Sequence, residues 1–137
     1  MVKFDCLMME LGAIDKDTPA YSEAISFIAL LRTDARTSNG FISYRNSINP
    51  FQQRAYMLTH AKDYFVAYHK GLPIGFGGVV EGDIRLAVVP YYQGKGFGKQ
   101  ILSYIKRRNP EATGKVKRYN TSSQNLFDRV EIPYTLI

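Results

Sequence analysis

Residues 93–98, Gln93-Gly94-Lys95-Gly96-Phe97-Gly98, are the part of the chain whose residue types and spacing best suit chemistry. Glycines at every second position permit positive φ and let a ligand approach the backbone closely. The apolar residues Phe97, Ile101, Leu102 and Ile105 that follow recur at helical spacing, so the loop opens a helix. The first-turn N–H groups of a helix have no partner inside it and lie at the positive end of its dipole. A glycine-rich loop running into such a helix is a place to hold a phosphate. Two phosphate-loop alternatives fail on the letters. A dinucleotide loop requires Gly-x-Gly-x-x-Gly, and a Walker loop requires Gly-Lys-Ser/Thr, whereas Gly98 is followed by Lys99-Gln100.

The element that must position this loop precedes it. Residues 84–89 are β-formers stopped by Pro90, and upstream of them lie two further runs, 64–69 and 74–80. The turns between the runs, Lys70-Gly71-Leu72-Pro73 and Glu81-Gly82-Asp83, are short, so the three strands form an antiparallel meander. Gly75, Gly77 and Gly78 in the middle strand imply a close backbone approach or a bulge. The loop helix ends at Asn109-Pro110, with Lys106, Arg107 and Arg108 in its last turn.

Ahead of the meander, residues 2–11 are expected as one strand. A helix over 21–32 follows, capped by Asp17 or Thr18 with Pro19 in its first turn. Residues 33–48 have the composition of a loop, and Phe41, Tyr44 and Arg45 in it are candidate substrate contacts. Asn49-Pro50 opens a second helix, with Gln52 completing a capping box and Phe51, Ala55 and Leu58 on one side. Beyond the loop helix, residues 115–120 are expected as a fifth strand parallel to 84–89, 122–130 as a helix and 132–137 as a last strand. The order β-α-α-β-β-β-α-β-α-β describes an α/β (α+β) domain spanning 1–137, a mixed, mostly antiparallel sheet with helices on both faces.

Strand, proline, loop and apolar helix together resemble the central motif of the GNAT (GCN5-related N-acetyltransferase) superfamily, Arg/Gln-x-x-Gly-x-Gly/Ala after a β-strand. The element order is similar too. The resemblance implies that acetyl-CoA is the co-substrate and that residues 93–99 (Gln93, Gly94, Lys95, Gly96, Phe97, Gly98 and Lys99) grip its pyrophosphate. It implies that the backbone of Leu86, Ala87 and Val88 pairs with pantetheine in a gap between the central and fifth strands. One of those N–H groups, assigned to Leu86, would polarise the thioester carbonyl. Asn120-x-x-Ser123-x-x-Leu126-Phe127 is similar to the family's second element and adds Asn120 and Phe127 to the cofactor contacts.

Phe127 stands where the family usually has a tyrosine that protonates the leaving thiolate, and a phenyl ring has no proton to give. Tyr119, Tyr134 or a water is left for that work, unless the thiolate leaves unassisted. Attack on a thioester needs a neutral amine. Some relatives take its proton with a glutamate where this chain has Lys115, so Glu81 and Asp83 are the candidate bases, with solvated turn residues as the plainer account. His60 and His69 are isolated, and no His/Asp/Glu spacing suits a metal, so none is expected.

Composition sets the outer bounds. The chain has 137 residues, 45% hydrophobic and 22% charged, as in one ordinary globular domain. Cys6 is the single cysteine, which excludes an internal disulfide and fits a reducing, cytoplasmic setting. No apolar run or signal-peptide pattern points to a membrane. The net charge of +6 favours a polyanionic partner: CoA itself, or nucleic acid through Lys106, Arg107, Arg108, Lys115, Lys117 and Arg118. Three functions follow. The leading one is transfer of an acetyl group to the amine of a small molecule or protein, by a monomer or homodimer. The others are action on nucleic acid or a ribosomal component, and a non-catalytic acyl-CoA sensor.

Overall fold

The computed structural model describes residues 2–4, 9–33 and 50–137. Residues expected as one strand are two, β1 (Val2–Phe4) and β2 (Met9–Ala13), paired antiparallel with Lys3 opposite Glu10. Then come α1 (Tyr21–Thr33), α2 (Pro50–His60), β3 (Tyr64–His69), β4 (Leu72–Val80) and β5 (Asp83–Val88). Strands β1 to β5 form one antiparallel sheet in sequence order. The chain continues through α3 (Phe97–Arg108), β6 (Gly114–Val116), α4 (Thr121–Val130) and β7 (Tyr134–Leu136), with β6 and β7 pairing parallel as a second, two-stranded sheet.

The meander over residues 64–88 follows its turns. Lys70 and Gly71 (φ +52° and +79°) and Glu81 and Gly82 (φ +52° and +82°) place two left-handed residues in each hairpin, the combination that matches strand twist. The register of β3 on β4 shifts between Ala67 and Tyr68. At Gly77 a Cβ would lie 2.5 Å from Phe65 Cζ and 2.7 Å from Ile101 Cγ2, so the missing side chain lets α3 settle onto the sheet.

The sheet is covered on both faces. Ile74, Ile84 and Val88 pack with Phe97, Ile101, Leu102 and Ile105 of α3 and with Val116, Phe127 and Val130. On the other face Val66, Phe76 and Ala87 pack with Ala24, Ile25 and Ile28 of α1 and Met57 of α2.

Three local expectations are corrected. The turn before α1 is built on Asp15: its carboxylate accepts the Asp17 N–H (2.9 Å) and its carbonyl accepts the Thr18 hydroxyl (2.7 Å), so neither Asp17 nor Thr18 caps the helix. Pro19 precedes the helix instead of sitting in its first turn. In α2, Phe51, Ala55 and Leu58 do share one side, which faces outward, and the inward side is Gln53, Met57 and half-buried Tyr56. The expected fifth strand is shorter, because residues after Val116 turn to start α4: Asn120 donates its N–H to Lys117 (2.9 Å). Phe41, Tyr44, Arg45 and Asn49 lie outside the described residues.

Candidate active site

The open edge of β5 organises the site. β5 and β6 run parallel but share a single bridge, Asp83 with Thr113. Ile84 donates its N–H to the Thr113 carbonyl (2.9 Å), and Thr113 donates to Gly82 (3.1 Å). No further rung follows among the described residues, so the strands part after Ile84. Backbone polar groups along a strand alternate between its two edges. Leu86 and Val88 therefore aim theirs to the same side as Ile84, into the gap, while Val89 donates back to Ile74 on β4 (2.8 Å). The Val88 carbonyl is taken by Gln93 Nε2 (2.9 Å). The Leu86 N–H and C=O and the Val88 N–H remain facing the gap, a strand edge without its neighbour.

The loop stands at the mouth of that gap. A short 3-10 turn, Pro90–Tyr92, ends at Gln93, and Gly94 (φ +75°) and Gly96 (φ +93°) are left-handed. Nothing lies within 4 Å of a Cβ built on Gly94, so the space over the loop is open. The first intrahelical bond of α3 runs from the Gln100 N–H to the Gly96 carbonyl (3.2 Å), leaving the N–H groups of Phe97, Gly98 and Lys99 ahead of it. Lys95 bends back, donating to the Tyr91 carbonyl (3.0 Å) with its ammonium 4.2 Å from the Tyr91 ring centre. Phe97 is buried against His69, with ring centres 5.0 Å apart, and anchors the loop to β3. These residues make a cradle of backbone donors suited to a diphosphate, continuous with an unpaired strand edge suited to an extended amide chain.

The other expected residues are divided. Ala87 turns its backbone toward β4 and its side chain into the α1/α2 core, so of the three strand residues Leu86 and Val88 face the gap. Asn120 caps α4, its Oδ1 accepting the Ser123 N–H (3.2 Å). Phe127 is 4% exposed and fills the space that Gly114 leaves, where a Cβ would sit 2.5 Å from its Cζ. It belongs to the core at the root of the gap. Tyr134 pairs with Gly114 on the far side of β6 and packs on Phe127 at 5.7 Å. Desolvation, and then its hydrogen bond to the Asp128 carboxylate, push the Tyr134 hydroxyl above its ordinary range, so it holds its proton. Tyr119 is exposed in the turn before α4.

Asp83 sits at the end of β5 remote from the loop, five residues or about 17 Å from Val88 by strand rise, and Glu81 lies beyond it in the turn. Glu81 is exposed at the hairpin tip. Asp83 stands where the strands meet, and its carboxylate pairs with Lys115 Nζ at 3.1 Å. The cation in place of the relatives' glutamate is thus the partner of the nearest acid. Of the basic cluster, Lys106 donates to the Val130 carbonyl (2.8 Å), Lys115 is taken by Asp83, and Arg108 lies 5.7 Å from the Tyr104 ring centre. His60 pairs with Asp63 (3.5 Å). No group of three or more His, Cys, Asp or Glu residues that could hold a metal occurs among the described residues.

Sequence reasoning missed a polar cluster under α1 and α2. Arg32, 3% exposed, donates from Nη1 to the Tyr64 hydroxyl (3.3 Å), and its guanidinium lies 4.7 Å from the Tyr56 ring centre. The Tyr56 and Tyr64 hydroxyls are 3.0 Å apart. Burial drives the Tyr64 pKa well above the ordinary phenol value, partly offset by the Arg32 charge. Arg32 in an otherwise apolar helical stripe was the available signal.

Comparison with known proteins agrees with this fold. The model of the GNAT acetyltransferase domain matches residues 60–130. No curated protein matches the chain in sequence. Among solved structures the chain is similar to spermidine N-acetyltransferase from Vibrio cholerae in complex with CoA and spermine, with TM-score 0.68, 15% identity, and 89% of this chain and 79% of that one covered. It is also similar to ribosomal-protein-alanine N-acetyltransferase from Brucella melitensis (TM-score 0.61, 15% identity, 77% and 76% covered). A third is an acetyltransferase of the GNAT family from Streptococcus pneumoniae (TM-score 0.56, 12% identity, 88% and 82% covered). With the family model spanning more than half of its length, the chain belongs to the GNAT acetyltransferase family.

Proposed function

We propose that this acetyltransferase passes the acetyl group of acetyl-CoA to the amine of a small molecule or protein by direct attack, and that it works in the cytoplasm. The observation that carries the site assignment is the continuity of the 93–99 loop with the open edge of β5. Gly94, Gly96 and the leading N–H groups of α3 hold the pyrophosphate, and the Leu86 and Val88 edge aligns the pantetheine amides. The thioester supplies the activated acyl carbonyl, which the Leu86 N–H polarises. Positioning supplies most of the remaining acceleration.

The proton inventory is sparse. An aliphatic amine has a pKa of about 10, so a neutral amine must be produced before attack. Asp83 lies at the closed end of the gap, and its pair with Lys115 has to open before it accepts that proton; water is the other route. Phe127 donates nothing, and Tyr134, its hydroxyl pushed above the ordinary phenol range by desolvation and then by Asp128, is a weakened acid. A thiol ionises near ~8.5, so departure as thiolate needs no proton from the chain.

The test is release of free thiol from acetyl-CoA across a panel of amines and N-terminal peptides, with calorimetry of CoA binding run beside it. Wild-type chain binds CoA and turns over at least one amine, and Gly96→Val abolishes both. CoA binding without turnover across the panel points to a sensor; no heat with CoA at millimolar ligand refutes the site assignment.

A further inference from the structure

Resting on that transferase function, we infer that the acceptor carries a carboxylate close to its amine, and that Arg85 is the specificity-determining residue that takes it. Tyr64, Gly78 and Arg85 stand in one row across β3, β4 and β5. The place that a Cβ on Gly78 would take is filled by the Asp63 carbonyl and by the Tyr64 ring, whose Cδ1 would lie 3.0 Å from it, so Tyr64 leans across the middle of the row. Arg85 is two residues from Ala87, which is buried in the α1/α2 core, so strand alternation turns Arg85 to that same face. The next residue, Leu86, is the one whose backbone faces the gap. The loop proposed to hold the cofactor runs into α3 on the other face, so Arg85 places its charge on the face left for the acceptor, where it acts on the Tyr64 hydroxyl.

The guanidinium has no anion. Arg85 is half-buried, its charge acts on the Tyr64 hydroxyl, and no side-chain hydrogen bond or ion pair joins it to a described residue. The carboxylate on the same face of β5, Asp83, is held by Lys115 at 3.1 Å. Arg32 adds a second guanidinium behind the Tyr64 hydroxyl. A partly desolvated guanidinium without an anion is costly, and its planar fork matches a carboxylate with two parallel hydrogen bonds. A polyamine brings no carboxylate for the Arg85 fork.

Matched acceptors test the assignment: glycine, β-alanine and glutamate against glycinamide, β-alaninamide and spermidine, with acetyl-CoA and thiol release as the readout. Calorimetry with CoA is run on each variant. The carboxylates are expected to exceed their amides by at least about tenfold in kcat/KM. Arg85→Gln is expected to raise KM for the carboxylates about 10- to 100-fold, with kcat little changed and discrimination lost. Arg85→Lys, which keeps the charge without the fork, recovers part of the loss and guards against a folding artefact. CoA affinity stays at the wild-type value in both variants. Amides or spermidine used as well as the carboxylates, no acceptor used by a chain that binds CoA, or a preference that survives Arg85→Gln overturns the inference. Failure of the wild-type chain to bind CoA overturns the transferase function and this inference together, and calorimetry separates that case from the others.

Discussion

A pair of alanine substitutions separates the phosphate loop from ordinary left-handed turns. Gly94 and Gly71 have nearly the same backbone, φ +75° and +79°, and a Cβ on either meets nothing within 4 Å. The cost of Gly→Ala at both is therefore conformational, roughly 1–2 kcal/mol for placing an L-residue in the left-handed region. For a chain of this size that is a fall in Tm of about 3–8 °C, equal for the two variants. They differ in location: Gly71 is in the β3–β4 hairpin, whereas Gly94 is in the loop at the mouth of the β5 gap. If Gly94→Ala turns one backbone donor away from the pyrophosphate, the loss is about 1.5–3 kcal/mol, or about 10- to 100-fold in CoA affinity. Ligand at 100 times its Kd stabilises a protein by about 2.7 kcal/mol. Melting with and without CoA thus shows the full shift for wild type and Gly71→Ala and a reduced or absent shift for Gly94→Ala. Equal CoA affinity in the two variants, by calorimetry, would refute the assignment of the loop.

Other outcomes follow from features already described. Tyr64 titrates above its ordinary value of 10.0 in the fold, so its contribution to stability is complete below pH 10 and is lost as pH rises toward the folded pKa. Urea midpoints measured upward from pH 9 should fall in wild type and fall less in Tyr64→Phe. Phe127→Tyr forces a hydroxyl against the Gly114 backbone and should cost about 1–3 kcal/mol by chemical denaturation without raising turnover; a stable variant with faster thiol release contradicts the packing described. Gly77→Ala drives a methyl into Phe65 and Ile101 and should cost about 1–3 kcal/mol, with an unchanged denaturation midpoint as the contrary result. Asp83→Asn breaks a half-exposed ion pair and should change stability by no more than about 1 kcal/mol, while its effect on the pH profile of kcat/KM shows whether Asp83 serves as the base.

Where glycines and turns set the backbone, the letters were sufficient. Lys70-Gly71 and Glu81-Gly82 fixed both hairpins, and Phe97, Ile101, Leu102 and Ile105 are the buried face of α3 as their spacing requires. The loop proposed to hold the phosphates was legible as a conformation, because the left-handed backbone at Gly94 and Gly96 is what glycine writes into the sequence. In α2, Phe51, Ala55 and Leu58 face outward, and a buried glutamine, Gln53, stands beside Met57 on the side that packs. The end of β6 was hidden because Asn120 works as a helix cap, a role its identity permits but does not compel. The parting of β5 and β6 has no letter of its own, since hydrogen bonds that are not made leave composition unchanged. Arg85, Gly78 and Tyr64 are distant in sequence and meet through register alone.

The single rung between β5 and β6 also bears on mechanics. Beyond it residues 114–137 are fastened to the rest of the fold mainly by greasy contact, chiefly Val116, Phe127 and Val130 against α3. Such contact tolerates sliding, whereas a ladder does not. A molecule lodged in the cleft would act as a surrogate rung, lacing two sheets into one. Deuterium uptake along Leu86 and Val88 would then slow when the cleft is filled, and the two halves of the protein would melt as one.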